Sequence, residues 1–202
     1  MSIITILTSA ELKIFKNPPE FNSEERKKYF YISVWAEKEL KTFRTAINKV
    51  CFILQLGYFQ AVKRFFYANT YQKKDIEYIA NRLNISLEEI DINKYKKETF
   101  NRNKKIILIN LGFEPFTQKH NKLLIEKITQ LVSKQLKPKF IFSEAIDFLI
   151  KNKIEVPGYY IFAQNRALVK SCGNLILPNT TLFFLKLPSF LLYPEPLCHC
   201  KK

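Results

Sequence analysis

Glycine and histidine are scarce in this 202-residue chain, and each scarcity excludes a class of protein. Four glycines are too few for glycine-rich phosphate loops, a series of β-hairpin turns or a β-barrel, so the composition favours helices joined by short connections. Only two histidines are present, and no Walker loop, dinucleotide-binding fingerprint or nucleophile elbow occurs. We therefore expect no enzymatic activity and no cofactor.

The acidic residues are also few, and they follow helix starts rather than a catalytic pattern. Most of them, such as Glu11, fall in the first turns of predicted helices, where they stabilise the helix dipole. His120 lies in a polar stretch near a helix start, which favours an exposed surface position. Cysteine and histidine alternate over residues 198–200, too closely to close a tetrahedral zinc site. We expect no metal centre.

Signals for secretion and for the membrane are lacking as well. The apolar run at the N-terminus is too short for a secretory signal, and the four cysteines do not form a disulfide framework. A second apolar run, from Leu175 to Leu192, is interrupted by Pro178, Lys186 and Pro188, which makes it a poor membrane span. We expect a cytoplasmic protein with reduced thiols and no membrane partner.

Positive charge is what the sequence has in excess. The formal net charge is +15 and the isoelectric point is near 9.6. An excess this large favours a polyanionic partner that neutralises it, and nucleic acid is the foremost candidate. The rival explanations are a membrane surface and a solvated, lysine-rich exterior with no bound partner.

Helix periodicity and capping signals predict an all-α fold. Thr8 with Glu11 forms a capping-box pattern, and Gly57 and Gly112 follow apolar stripes that they are expected to end. The predicted helices run from Ser9 to before Asn17, from Asn22 or Ser23 onward, and over Lys41 to Leu56, Lys73 to Asn84, Lys97 to Leu111, Thr117 to about Gln135 and Phe140 to Lys151.

The spacing of two helix signals predicts a helix-turn-helix. The helix from Lys73 to Asn84 is followed by Ser86 with Glu89 three residues later, a second capping box. We expect two tandem domains of this kind, over residues 1–94 and 95–163. Residues 164–202 contain one acidic residue and lose helical periodicity. We expect them to form an atypical tail, either disordered or frame-shifted.

Basic and amide side chains recur on one face of two predicted helices. Lys97, Asn101, Lys104 and Lys105 share a face, which suits a helix that lies on or in a DNA groove, with asparagine reading base edges. The full set of candidate DNA-binding residues is Lys41, Arg44, Asn48, Lys49, Lys63, Arg64, Lys73, Lys74, Lys97, Asn101, Arg102, Asn103, Lys104 and Lys105.

Three stretches, in order along the chain, carry a likeness to a known family. The first reads NKVCFILQLGY over residues 48–58, the second ETFNRNKKIILINLGFEPF over residues 98–116, and the third IEVPG over residues 154–158. Over about residues 3–163 the chain resembles the N-terminal region of the Tn-three family of replicative transposases.

This resemblance implies a helical DNA-binding region that recognises the terminal inverted repeats of a transposon. The family's metal-dependent Asp-Asp-Glu domain lies far downstream, so the expected role is binding without catalysis, in the cytoplasm at the nucleoid. Asn48, Asn101 and Asn103 are the candidates for base reading. The alternatives are a helical protein-interaction module, acting by self-association or on full-length transposase, and a non-functional truncated remnant.

Overall fold

The computed structural model describes residues 6–165, and this part of the chain is all-α, which confirms the predicted class. Residues 1–5 and nearly all of the predicted tail lie outside the described residues. The helices are α1 (Ser9–Lys16), α2 (Ser23–Tyr29), α3 (Val34–Thr42), α4 (Ala46–Val62), α5 (Lys73–Arg82), α6 (Lys97–Leu111), α7 (Gln118–Val132), α8 (Pro138–Lys151) and α9 (Tyr159–Ala163). Short 3-10 turns cover Ala68–Thr70, Leu87–Glu89 and Ile92–Lys94.

Local capping signals fix several helix ends where the sequence predicts them. The Thr8 hydroxyl oxygen accepts from the Glu11 N–H at 3.3 Å, and the Glu11 carboxylate accepts from the Thr8 N–H at 2.8 Å. A reciprocal pair of this kind satisfies two backbone donors at the start of α1. At the C-terminal end of α6, Gly112 adopts the left-handed conformation with φ of 66°. The predicted bounds of α1 and α6 are confirmed.

Helix α4 differs from its prediction at both ends. The chain breaks helical form at Phe43, so the predicted helix from Lys41 divides into the end of α3 and the start of α4. Gly57 lies inside α4 instead of ending it, and the ring of Phe30 packs against its backbone. A Cβ atom at this position would lie 2.2 Å from Cδ1 of Phe30. Glycine is therefore required at position 57 because the Phe30 ring lies too close for a side chain, and not because a helix ends there.

The buried apolar side chains form two clusters. The first surrounds α4, which is buried continuously over residues 50–59, and it draws on α2, α3, α5 and α6. The second is built by α7, α8 and α9 together with Ile6 and Leu7 from the start of the chain. This partition does not follow the expected boundary at residues 94 and 95, since Ile107 of α6 belongs to the first cluster. The domain boundary itself stays a prediction.

The helix-turn-helix predicted around Ser86 is not confirmed. Ser86 caps only the 3-10 turn Leu87–Glu89, and the next α-helix is α6. The physical reason lies in three isoleucines, Ile85, Ile90 and Ile92, which pack against the first cluster. The spacing of these isoleucines is not that of one face of a helix. Because all three pack against the core, the chain between α5 and α6 follows the core surface and does not form an α-helix.

None of the helices in the described part of the chain is long and apolar enough to cross a membrane.

Replacing Gly57 tests the contact that shapes α4. We expect Gly57→Ala to lower the free energy of unfolding by about 1–3 kcal/mol, because the added methyl overlaps the buried Phe30 ring. Urea unfolding measures the loss. Gly158→Ala is the matched control: its φ is −63° and the nearest atom to a new Cβ is Cδ1 of Tyr160 at 3.5 Å. Equal stability of the two variants would contradict the close approach.

Candidate nucleic-acid interface

Helix α6 presents the richest group of predicted contact residues on one exposed side. Lys97, Asn101, Arg102 and Lys105 are all exposed along this helix. On the opposite side, Ile107 is fully buried in the first cluster and fixes the helix against the core. The helix therefore holds four polar or basic side chains outward over its first three turns.

The loop between α3 and α4 lies beside this surface. The guanidinium carbon of Arg102 is 5.4 Å from the centroid of the Phe43 ring, a cation–π distance. Phe43 is buried, and the next residue of the loop, Arg44, is exposed. We call Arg44, Lys97, Asn101, Arg102 and Lys105 the α6 basic face.

The remaining predicted residues of that loop and of α4 are less available. Lys41 is exposed but lies 3.5 Å from the Glu37 carboxylate one turn earlier in α3. Asn48 and Lys49 are half-buried in the first turn of α4. These three residues lie on either side of Arg44 in the sequence, and their side chains are less available to a partner than that of Arg44.

A buried polar network joins α6 to α4. The Asn103 amide donates to the Tyr95 hydroxyl at 2.7 Å, and that hydroxyl donates to Oε1 of Gln55 at 3.1 Å. The Gln55 amide in turn donates to the Phe100 carbonyl at 3.4 Å. Asn103 and Gln55 have no exposed surface. Asn103 is predicted to read a base edge; the structure places it inside this network, where its contact with Tyr95 positions α6 against α4.

Three predicted contact residues are used where the two clusters meet. The Lys104 ammonium lies 2.5 Å from Oε1 of Glu155, and the other oxygen of this carboxylate accepts the Phe116 N–H at 3.3 Å. Nearby, the Val156 N–H donates to the Lys63 carbonyl at 2.9 Å. Lys104 and Lys63 therefore connect the segment before α9 to α6 and to the end of α4. We call this the junction.

Arg64 completes the junction from inside. Its guanidinium stacks 3.7 Å from the Phe15 ring and 4.7 Å from the Phe66 ring, and it donates to the Phe15 carbonyl. The residue is only 8% exposed, and this burial lowers the pKa of the guanidinium. A side chain enclosed in this way has no access to a DNA phosphate. The structure places the predicted contact residue Arg64 between α1 and the first cluster, which it joins.

Lys63 is constrained in a similar way. It ends α4 in the left-handed conformation, with φ of 54°, and its ammonium donates to the Gln60 carbonyl at 2.6 Å. Burial, and then the nearby charge of Lys153, lower the pKa of this ammonium to about 8. The half-buried side chain points its charge at the protein's own backbone rather than outward.

Lys73 and Lys74 are exposed but stand on another element, in the first turn of α5. Lys73 lies 3.9 Å from the Glu77 carboxylate. Next to them, the buried Asp75 accepts from the Arg26 guanidinium and from the Tyr58 hydroxyl, each at 2.7 Å. The structure thus places these two lysines over a core anchor and not on the α6 basic face.

Most of the chain matches the model of a known protein family. A family model described as Domain of unknown function (DUF4158) matches residues 6–166. The chain belongs to this family. Domains of the DUF4158 family are found in Tn-three-type transposases. No curated protein gives a significant match to the chain.

His120 of this DUF4158 domain is buried, so the exposed position that the sequence favours is wrong. Its Nδ1 accepts the Thr117 N–H at 3.3 Å, and its Nε2 lies 3.1 Å from the Glu114 carboxylate. The signal was present, because Thr117 lies three residues before His120, which is the capping-box spacing. Among the described residues no group of acidic, histidine and cysteine side chains could hold a metal ion.

Glu155 is the residue whose replacement tests the junction of this DUF4158 domain. We expect Glu155→Gln to lower the free energy of unfolding by about 2 kcal/mol, since it removes a charge from a largely buried ion pair. Chemical denaturation measures this change. Glu77→Gln removes a carboxylate whose partner, Lys73, is 89% exposed, and should change stability by less than about 0.5 kcal/mol. If the two variants are destabilised by the same amount, the junction carries no special weight.

Proposed function

We propose that this chain binds double-stranded DNA at the terminal inverted repeats of a transposon, as the N-terminal, non-catalytic part of a transposase. The observation that carries the proposal is the α6 basic face, an exposed cationic helix surface on a domain whose family is found in Tn-three-type transposases. Association with the nucleoid in the cytoplasm would follow from DNA binding of this kind.

The charge of the described part supports a polyanionic partner. Residues 166–202 carry five basic residues and one acidic residue, and residues 1–5 carry none, so +11 of the net +15 belongs to residues 6–165. Each phosphate contact by a lysine or arginine releases condensed counterions, and this release provides most of the affinity of non-specific binding. Exposed cations on one helix therefore favour DNA over an uncharged protein partner.

The rigidity of α6 supports recognition as well as attraction. The buried network of Gln55, Tyr95 and Asn103 fixes the rotation of α6 against α4. The outward side chains are thereby held in a defined direction, which base reading requires. In this proposal Asn101 contacts a base edge, and Lys97 and Lys105 contact phosphates.

A double charge reversal tests the phosphate contacts. We expect Lys97→Glu with Lys105→Glu to weaken binding to every duplex by at least roughly tenfold, and to reduce the salt slope by about 0.9 for each phosphate that is no longer neutralised. Fluorescence anisotropy over a salt series measures both. Lys119→Glu with Lys122→Glu, two lysines on the surface of α7, is the control of equal charge. Equal weakening by both variants would mean that net charge alone drives binding.

Specificity requires a separate comparison. The labelled duplexes are the inverted repeat that flanks the encoding element and a scrambled duplex of the same composition. Wild-type protein should prefer the repeat, and Asn101→Ala should reduce that preference without changing the salt slope. Self-association in sedimentation experiments without any DNA binding would overturn the proposal in favour of a protein-interaction module. Absence of cooperative unfolding would favour the non-functional remnant.

A further inference from the structure

We propose that Tyr67 is a stacking platform for an unpaired DNA base, beside the α6 basic face. This inference rests on the proposed function, because it assigns a further contact of the same nucleic-acid surface. Tyr67 is 71% exposed, although it is a large aromatic residue, and it is not part of either buried cluster.

The ring of Tyr67 is supported from below by a series of aromatic contacts. It stacks on Phe100 of α6, with ring centroids 5.8 Å apart and an interplanar angle of 27°. Phe100 meets Phe65 edge-on at 6.4 Å, and Phe65 stacks at 4.6 Å on the fully buried Phe59. Tyr67 is therefore the outermost ring of a ladder that reaches from the core of the protein to its surface.

The backbone of Tyr67 is also held in place. Its carbonyl accepts the Thr70 N–H at 2.9 Å and the Thr70 hydroxyl at 2.7 Å, which closes the 3-10 turn that follows. One face of the ring is occupied by Phe100, so the large exposed area lies on the other face and the edges. A flat aromatic face that is fixed in advance loses little entropy when a base stacks on it.

The surroundings of the ladder point to nucleic acid rather than to an apolar partner. Lys97 and Lys104 lie three residues before and four residues after Phe100, which places them on the same side of α6. The Lys104 ammonium lies 5.3 Å from the centroid of the Phe65 ring, but it is already paired with Glu155, so Lys97 is the exposed cation beside the ladder. Aromatic rings interleaved with cations are the arrangement that binds unstacked bases, where the rings contact the bases and the cations contact the backbone.

The ligand is therefore a base that has left the helical stack, since a paired base offers no free face. Stacking of a base on an aromatic side chain is sequence-tolerant, so Tyr67 should favour distorted or unpaired DNA without reading its sequence. In this assignment Asn101 reads paired sequence and Tyr67 detects a displaced base nearby. The two residues would contact different features of one DNA site.

The test compares a paired duplex with a duplex of the same sequence that carries one unpaired 2-aminopurine, a fluorescent base whose emission falls on stacking. The full 202-residue chain is used. Wild-type protein should bind the bulged duplex more tightly and quench its emission. Tyr67→Phe, which keeps the ring, should behave like wild type. Tyr67→Ala should abolish the quenching and weaken binding to the bulged duplex roughly tenfold, while its affinity for the paired duplex stays nearly unchanged.

Tyr160→Ala is the matched control, because Tyr160 is 63% exposed and lies on α9. It should leave binding and quenching as in wild type. Unchanged quenching by Tyr67→Ala, or no gain from the bulge in wild type, would overturn the stacking role while paired-duplex binding still supports the proposed function. Failure to bind either duplex would overturn both. Thermal unfolding of each variant confirms that the fold is retained.

Discussion

The enclosure of α4 is the constraint on which the rest of the structure depends. Every residue from position 50 to position 59 of this helix is buried, so it cannot lie against the core with one face and leave the other in water. Other helices must cover it on all sides, and α2, α5 and α6 do so from three different parts of the chain. The polar atoms carried inward then need partners. The Tyr58 hydroxyl donates a hydrogen bond to Asp75, and Gln55 accepts one from the Tyr95 hydroxyl. Burial of α4 therefore determines which polar contacts the surrounding segments make.

Features that depend on neighbouring residues were readable from the sequence. The caps at Thr8 and Gly112 and the outward phase of Lys97 and Lys105 follow from spacings of a few residues, and these appear in the structure as predicted. The all-α class follows from the same local signals and from the scarcity of glycine. Such signals act within one or two helical turns, which is why a single sequence is enough to detect them.

The features that escaped prediction are set by distant partners. Phe30 leaves room only for glycine at position 57, and Arg64 is enclosed by Phe15, 49 residues away in sequence. Asn103 has a side chain that could read a DNA base, but it is fully buried and hydrogen-bonded to Tyr95. Exposed and buried polar residues look identical in a sequence, and only the packing of another element separates them. The helix predicted after Ser86 failed for the same reason, since the core binds the isoleucines around it.

The basic residues thus have two different roles: some join the two clusters, and others are exposed to solvent. Lys63, Arg64 and Lys104 hold the two clusters together through contacts with backbone, rings and Glu155. The cations of the α6 basic face are exposed instead. Helix α6 contributes residues to both sets, since Lys104 lies at the junction and Lys97 and Lys105 lie on the basic face. A total charge of +15 cannot distinguish them, because it counts a stacked guanidinium and a solvated ammonium alike. The candidate interface is accordingly narrower than the sequence suggested, and it is attached to the part of the fold that joins the clusters.

The position of α1 has a consequence for the order in which the chain assembles. Ile6 and Leu7 are buried in the second cluster, and Phe15 meets Phe142 and Phe162 edge-on at 5.3 Å and 6.3 Å. The partners of this first helix are therefore among the last described residues to leave the ribosome. Contacts of such wide separation close slowly, and the first cluster has all its residues available well before them. Among the described helices, α1 is thus synthesised before the others but should be one of the last to dock, after α4 is already enclosed.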